Sequence, residues 1–103
     1  IDKNSSIINT LKSLGAICCG YSSITKNGIN PYGINPFQGE YMTRNPYNNR
    51  YYISGGEPGD ASIVATGICP FAISYDKLAS SRLSAGAVGI MCLRPTYNSI
   101  SAP

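Results

Sequence analysis

Two Ile-Asn-Pro units, Ile29-Asn30-Pro31 and Ile34-Asn35-Pro36, begin five residues apart and constrain this chain more than any other stretch. Each proline fixes its own φ near about −65° and drives the asparagine before it out of the α region, so no helix crosses the segment. Gly33 and Gly39 supply positions where positive φ costs little, and Tyr32, Phe37 and Tyr41 supply rings that can cover a core edge. An ordered connector is expected, with a helical segment before it and strand-like segments after it.

Before the connector, Ile1, Ile7, Ile8, Leu11, Leu14, Ile17 and Cys18 recur at three- and four-residue steps, which predicts a helix over residues 1–19 with Gly20 as its C-cap and Gly15 as a weak point. Nothing caps its first residue. Residues 20–40 read as loop. Residues 40–43 and 50–54 read as short strands joined through Asn45-Pro46-Tyr47-Asn48-Asn49, a tyrosine-rich hairpin. A turn at 55–60 leads into 62–68, the strongest strand by β-branched content. Residues 71–75 fit a further short strand, Asp76 an N-cap for a helix over 77–85 closed by Gly86, and 88–93 a last buried strand. The tail, 94–103, has no pattern and is expected to fray. The fold class expected is α+β: one domain over 1–103, its N-terminal helix packed on a small, mostly antiparallel sheet spanning 41–93, with a short second helix near 76–85.

The chain has 103 residues, of which 13% are charged, with a net charge of +3 and its basic residues scattered from Lys3 to Arg94. No basic run marks a nucleic-acid or anionic-membrane footprint. A domain of this size buries somewhat over ~60% of its extended-chain surface, so the core is modest. Four cysteines, Cys18, Cys19, Cys69 and Cys92, lack the paired spacing of a zinc ribbon, and there is no histidine. Metal ligation is disfavoured and oxidised cysteines in an extracytoplasmic compartment are expected, the alternative being four reduced thiols packed as small hydrophobes. Four cysteines allow three connectivities. A Cys69–Cys92 bridge would remove roughly 3 kcal/mol of unfolded-state entropy, a vicinal Cys18–Cys19 bridge would be strained, and the remaining pairings join Cys18 and Cys19 to the distant pair. No apolar run spans a bilayer, and the chain begins at Ile1, so an export signal or anchor is expected upstream.

Catalytic groups look sparse. The commonest general base is missing, and the five acids, Asp2, Glu40, Glu57, Asp60 and Asp76, fall on expected loops and caps. Glu57 and Asp60 could form a polar or calcium loop, against the default of a solvated turn. Ser74-Tyr75-Asp76-Lys77 fits Ser-x-x-Lys without its companion motifs, and a helix cap accounts for it. Asn4-Ser5-Ser6 is a formal glycosylation sequon inside an expected helix. No cofactor-binding, metal or catalytic residue is expected. Tyr47, Tyr51 and Tyr52 on the hairpin are the candidate binding surface, because tyrosine offers contact area at low entropy cost; the competing view is an aromatic face that covers the helix.

The leading amphipathic helix, the loop Asn35-Pro36-Phe37-Gln38-Gly39-Glu40-Tyr41, the small sheet and the two C-terminal cysteines together resemble the soluble portion of a type IV pilin of the type IVb or conjugative branch. Cys18-Cys19 departs from that pattern, and the chain is shorter than most such domains. The resemblance implies a non-enzymatic filament subunit, anchored in the inner membrane by an absent hydrophobic helix before assembly. Its partners would be other pilin subunits and a host or recipient-cell surface, with Cys69 and Cys92 bracketing the contact region. A secreted disulfide-stabilised binding module or toxin-like protein using the Tyr-rich hairpin is the alternative, and an enzyme built on Ser74 and Lys77 is set aside.

Overall fold

The computed structural model describes residues 5–37 and 42–100. They fall in two compact units, one formed by Ile1–Tyr21 with Arg94–Pro103, the other by Ser22–Leu93.

The first unit holds α1, Ser6–Ser13, which has no buried residue. It stops well before the expected Gly20. Gly15 adopts φ +90°, its N–H donates to Lys12 O at 3.0 Å, and the Ala16 N–H reaches Leu11 O at 3.0 Å. That pair of bonds is a Schellman closure, which only a residue tolerant of positive φ completes cheaply. Gly15 therefore ends the helix instead of weakening it, and Cys18 and Cys19 lie exposed in the irregular chain beyond. The start of the expected helix, 1–4, lies outside the described residues, and so do residues 38–41 and 101–103.

The second unit carries the remaining elements. A 3₁₀ turn, Lys26–Gly28, leads into the proline doublet. Each asparagine there closes an Asx turn with its own carboxamide oxygen: Asn30 Oδ1 accepts from the Tyr32 N–H at 2.9 Å, and Asn35 Oδ1 from the Phe37 N–H at 3.0 Å. The hairpin comprises β1, Arg44–Asn45, and β2, Asn48–Tyr52, antiparallel with Arg44 opposite Tyr52 and Asn45 opposite Asn48. Against the expected strands, β1 is shorter and later than 40–43, whose first two residues lie outside the described ones, and β2 keeps the expected five-residue length but begins two residues earlier than 50–54; Asn45 Oδ1 takes the Tyr47 N–H at 3.0 Å and tightens the turn to Pro46-Tyr47.

The largest departure lies at 58–68. The segment expected as the strongest strand is α2, Pro58–Ala65. Pro58 sits at the first helical position, where its missing N–H is no loss, and Gly67 at φ +74° closes the end through Gly67 N–H to Val64 O and Ile68 N–H to Ile63 O, both 3.0 Å. These end signals override the β preference of Ile63 and Val64. The last helix, α3, spans Ser80–Val88 and not 77–85; Ala79 at φ 60° precedes it, Gly89 at φ 71° ends it, and Gly86 lies inside. Asp76 is no cap: its carboxylate pairs with the Arg82 guanidinium. Residues 71–75 and 90–93 are assigned to no strand, so the sheet among the described residues is the two-stranded ribbon alone. Three helices and this ribbon are not specifically pilin-like.

The buried apolar cluster is small: Ile53, Ala61 and Val88, with Ala65 and Ile90 against it. It joins α2 to α3, and α2 also touches β1. Fully burying Ile53 contributes about 2–3 kcal/mol. Among the described residues no helix is long and apolar enough to cross a membrane.

Candidate active site

Beside that cluster lies a buried polar layer of Thr25, Glu57, Ser80, Ser81 and Ser84. Buried hydroxyls and carboxyls cost free energy unless bonded, so their partners define the site. Thr25 is fully buried and binds Gly56 O twice, through its N–H at 3.0 Å and its Oγ1 at 3.2 Å. Ser84 Oγ accepts the Glu57 N–H at 3.3 Å and donates to Ser80 O at 3.1 Å. One hydroxyl thus fixes the backbone of Glu57 relative to that of Ser80.

Glycines allow this closeness. A Cβ on Gly55, which has φ +94°, would lie 2.4 Å from Ser80 O and 2.4 Å from Ser84 Oγ. A Cβ on Gly56 would lie 2.1 Å from Gly28 O and 2.7 Å from the Ser80 Cβ. The Gly55-Gly56 backbone therefore rests directly on the first turn of α3, an approach closed to any other residue.

Ser80 is 3% exposed and opens α3 immediately after Ala79, a non-glycine residue in the left-handed region. That conformation costs roughly 1–2 kcal/mol in an L-residue, and such strain persists where the surroundings hold it. Ser80 Oγ donates to Tyr75 O at 2.9 Å; Ser81 Oγ donates to the same carbonyl at 3.0 Å and is bonded to Ser74 Oγ at 2.7 Å. Ser74, half of the Ser-x-x-Lys sequence, thus supports Ser81.

The acids of the expected turn are largely covered. Glu57 is 5% exposed, with Oε1 3.0 Å from where a Gly28 Cβ would stand. Burial, reinforced by the charge of Asp60 and opposed by Lys77, pushes its carboxyl up from 4.5 to about 7. Asp60 is also raised, by burial, against the Ser22 hydroxyl that donates to Oδ1 at 2.6 Å. A solvated turn does not describe this pair. A carboxyl poised near neutrality can take or give a proton, which is the task that the missing histidine seemed to leave unfilled.

The residues singled out from sequence are elsewhere. Tyr47, Tyr51 and Tyr52 stand on the hairpin, the first two well exposed, and Tyr52 stacks under the Arg44 guanidinium at 4.2 Å. Cys18, Cys19, Cys69 and Cys92 all carry thiols and no disulfide; burial raises the Cys92 thiol, with Asp76 adding and Arg82 opposing. No group of three or more ligating side chains among the described residues could hold a metal ion. Ser80, Ser84, Thr25 and a buried role for Glu57 were not found from sequence. The signal that could have found them was the Gly55-Gly56 pair followed by an acid and a helix-starting proline, which marks a close backbone approach.

Comparison with known proteins decides the family. The amidase family model matches residues 2–103. This chain belongs to the amidase family. It is 35% identical over 97 residues to a fatty acid amide hydrolase of Arabidopsis thaliana, covering 94% of this chain and 16% of that protein. It is 33% identical over 100 residues to an indoleacetamide hydrolase of Pseudomonas syringae pv. syringae, covering 97% of this chain and 22% of the relative. A component of the mitochondrial glutamyl-tRNA(Gln) amidotransferase of Candida albicans is 33% identical over 98 residues, 95% of this chain and 21% of its own length. The chain thus spans about a fifth of the length of these relatives. No solved structure matches it.

Membership in this family overturns the pilin resemblance and what it carried: the non-enzymatic filament role, the assignment to a pilus and to adhesion, and pilin subunits as partners. The features behind it, an amphipathic helix, an Asn-Pro loop and spaced cysteines, arise in many folds, and the matched amidases and amidotransferase point to an enzyme.

Proposed function

We propose that this chain forms part of an enzyme that cleaves carboxylic amides, with Ser80 as its nucleophile. Family membership supplies the reaction class, since the names of the relatives denote amide hydrolases and a component of an amidotransferase. The observation that carries the residue is the placement of Ser80: first in a helix, directly after a left-handed Ala79, and roofed by two glycines. A serine on a sharp, strained turn into a helix is how other serine hydrolases present the hydroxyl, here an analogy of geometry alone. Ser80 Oγ would attack the amide carbonyl carbon, the amine would depart, and water would release the acyl group.

A second reading, a family member without hydrolytic activity, draws on the bond from Ser80 Oγ to Tyr75 O, since a carbonyl cannot accept the serine proton as a base would. A fluorophosphonate probe with peptide mapping separates the two. Labelling of the full-length protein at Ser80, abolished in Ser80→Ala and retained in Ser74→Ala, supports the first reading. Labelling at another serine, or none with primary amides also left uncleaved, overturns it.

A further inference from the structure

We propose that Thr25 and Ser84 are positioning residues that clamp a single peptide group, the one joining Gly56 to Glu57, and so fix the wall against which Ser80 is aligned for attack. The inference rests on the reading of Ser80 as nucleophile and adds what holds that serine in place.

The peptide group has one acceptor and one donor, and a different buried residue takes each. Gly56 O receives the Thr25 N–H at 3.0 Å and the Thr25 hydroxyl at 3.2 Å. The Glu57 N–H donates to Ser84 Oγ at 3.3 Å, and that hydroxyl gives its own proton to Ser80 O at 3.1 Å. Thr25 is fully buried and Ser84 is 1% exposed, so losing either hydroxyl removes a bond that water is poorly placed to replace. Thr25 is itself anchored, since its Oγ1 also accepts the Asn30 N–H at 3.3 Å. The two hydroxyls stand 31 and 27 residues away in sequence from the atoms they hold. The orientation of this peptide is therefore set by tertiary structure, at a glycine that would otherwise turn freely.

What the clamp fixes lies directly on the nucleophile. A Cβ on Gly56 would stand 2.7 Å from the Ser80 Cβ, and a Cβ on Gly55 would stand 2.4 Å from Ser80 O, so bare backbone lies against both the side chain and the carbonyl of Ser80. The Ser80 hydroxyl rests on Tyr75 O at 2.9 Å. For attack only this last bond has to be released, by rotation of the side chain, while the Ser80 backbone and Cβ stay where the glycine wall and Ser84 hold them. Reaction rates are steep in such alignment, a misplacement of about 1 Å costing on the order of 100-fold. Without the Ser84 hydroxyl the Glu57 N–H is left buried and unpaired, and the peptide gains by rotating away from Ser80.

The test measures, in the full-length protein, the second-order rate of Ser80 labelling by a fluorophosphonate per folded molecule, for wild type, Thr25→Val, Thr25→Ser, Ser84→Ala and the Thr25→Val/Ser84→Ala double variant. Thr25→Val and Ser84→Ala should each fall about tenfold under conditions where urea unfolding shows them folded, and Thr25→Ser, which keeps the hydroxyl, should stay within about threefold of wild type. Because both residues act on one peptide, the double variant should fall about 10- to 20-fold, short of the roughly 100-fold expected of independent sites. A merely structural role would lower the folded fraction and leave the rate per folded molecule unchanged. Single variants labelled at the wild-type rate, or a double loss equal to the product of the single losses, overturn the clamp and leave the nucleophile standing. No label at Ser80 in wild type overturns both. If the variants fail to fold, hydrogen exchange at the Glu57 N–H in wild type decides: slowing of about 100-fold or more against the open chain is expected, and exchange near the open-chain rate overturns the clamp alone.

Discussion

Replacing Glu57 by glutamine should make the protein more stable at pH 8 than the wild type and leave the two close at pH 4.5, and the size follows from the site. The Glu57 carboxyl is pushed from 4.5 in the open chain to about 7 in the fold. A folded-state value above the unfolded one means that the native state holds its proton longer. Below pH 4.5 both states are protonated and Glu57 carries no penalty. Between 4.5 and 7 the unfolded state ionises first, native stability falls with rising pH, and above 7 the loss is complete. The rise from 4.5 to about 7, which already contains the lowering by Lys77, sets a ceiling of roughly 3 kcal/mol at about 1.36 kcal/mol per pH unit, and water reaching the carboxyl lowers it toward about 1–2 kcal/mol.

Glutamine keeps the shape and the backbone bond to Ser84 and removes only the titration. Urea unfolding of wild type and Glu57→Gln at pH 4.5, 6 and 8 reads the difference directly. The two stability curves should diverge steadily above pH 4.5, with Asp60, itself raised by burial, leaving a residual slope in the variant. Parallel curves across that range would show that Glu57 meets water freely in the fold, and the account of the buried polar layer would fail with it.

Other substitutions probe the scaffold around the same layer. Gly55→Ala should shift the first turn of α3, because the new Cβ would fall 2.4 Å from Ser80 O, and it should cut Ser80 labelling at least tenfold with the urea midpoint lowered. Ala79→Val should destabilise by about 2 kcal/mol at φ 60°, whereas Ala79→Gly should stay within about 0.5 kcal/mol of wild type; a valine tolerated as well as glycine in urea unfolding would remove the strain argument. Ile53→Ala should cost about 2–4 kcal/mol, since its side chain is fully buried against Ala61 and Val88.

What sequence conveyed here is local chemistry, and what it missed is contact at a distance. The Asn-Pro doublet and the Asn45-Pro46 turn could be placed because prolines and asparagines act on their immediate neighbours, whereas α3 was expected in its region but with the wrong ends, Asp76 pairing with Arg82 and Gly86 lying inside the helix. Helix α2 was misread because a short run such as Ile63-Val64 satisfies either a strand or a buried helix, and the deciding residues, Pro58 and Gly67, sit at its ends. Glu57 was read as solvated from its flanking glycines and proline. In the fold those same glycines exclude water, by letting Gly28, Gly56 and the first turn of α3 close around the acid.

The apolar stretches at 68–78 and 90–93 follow from the same reasoning. Phe71, Ile73 and Tyr75 alternate as a half-buried strand would, and Met91 and Leu93 read as the end of a buried one, yet all five are exposed. Alternation records a preference for a covered face, but a strand exists only where a neighbour receives its N–H and C=O groups. No ladder partner for either stretch occurs among the described residues. The α3 site has the neighbours that those stretches lack: Thr25 bonds Gly56, Ser84 bonds Glu57 and the Gly55-Gly56 backbone rests on Ser80 across long separations in sequence, so the polar layer around Ser80 is assembled where partners from distant segments meet it.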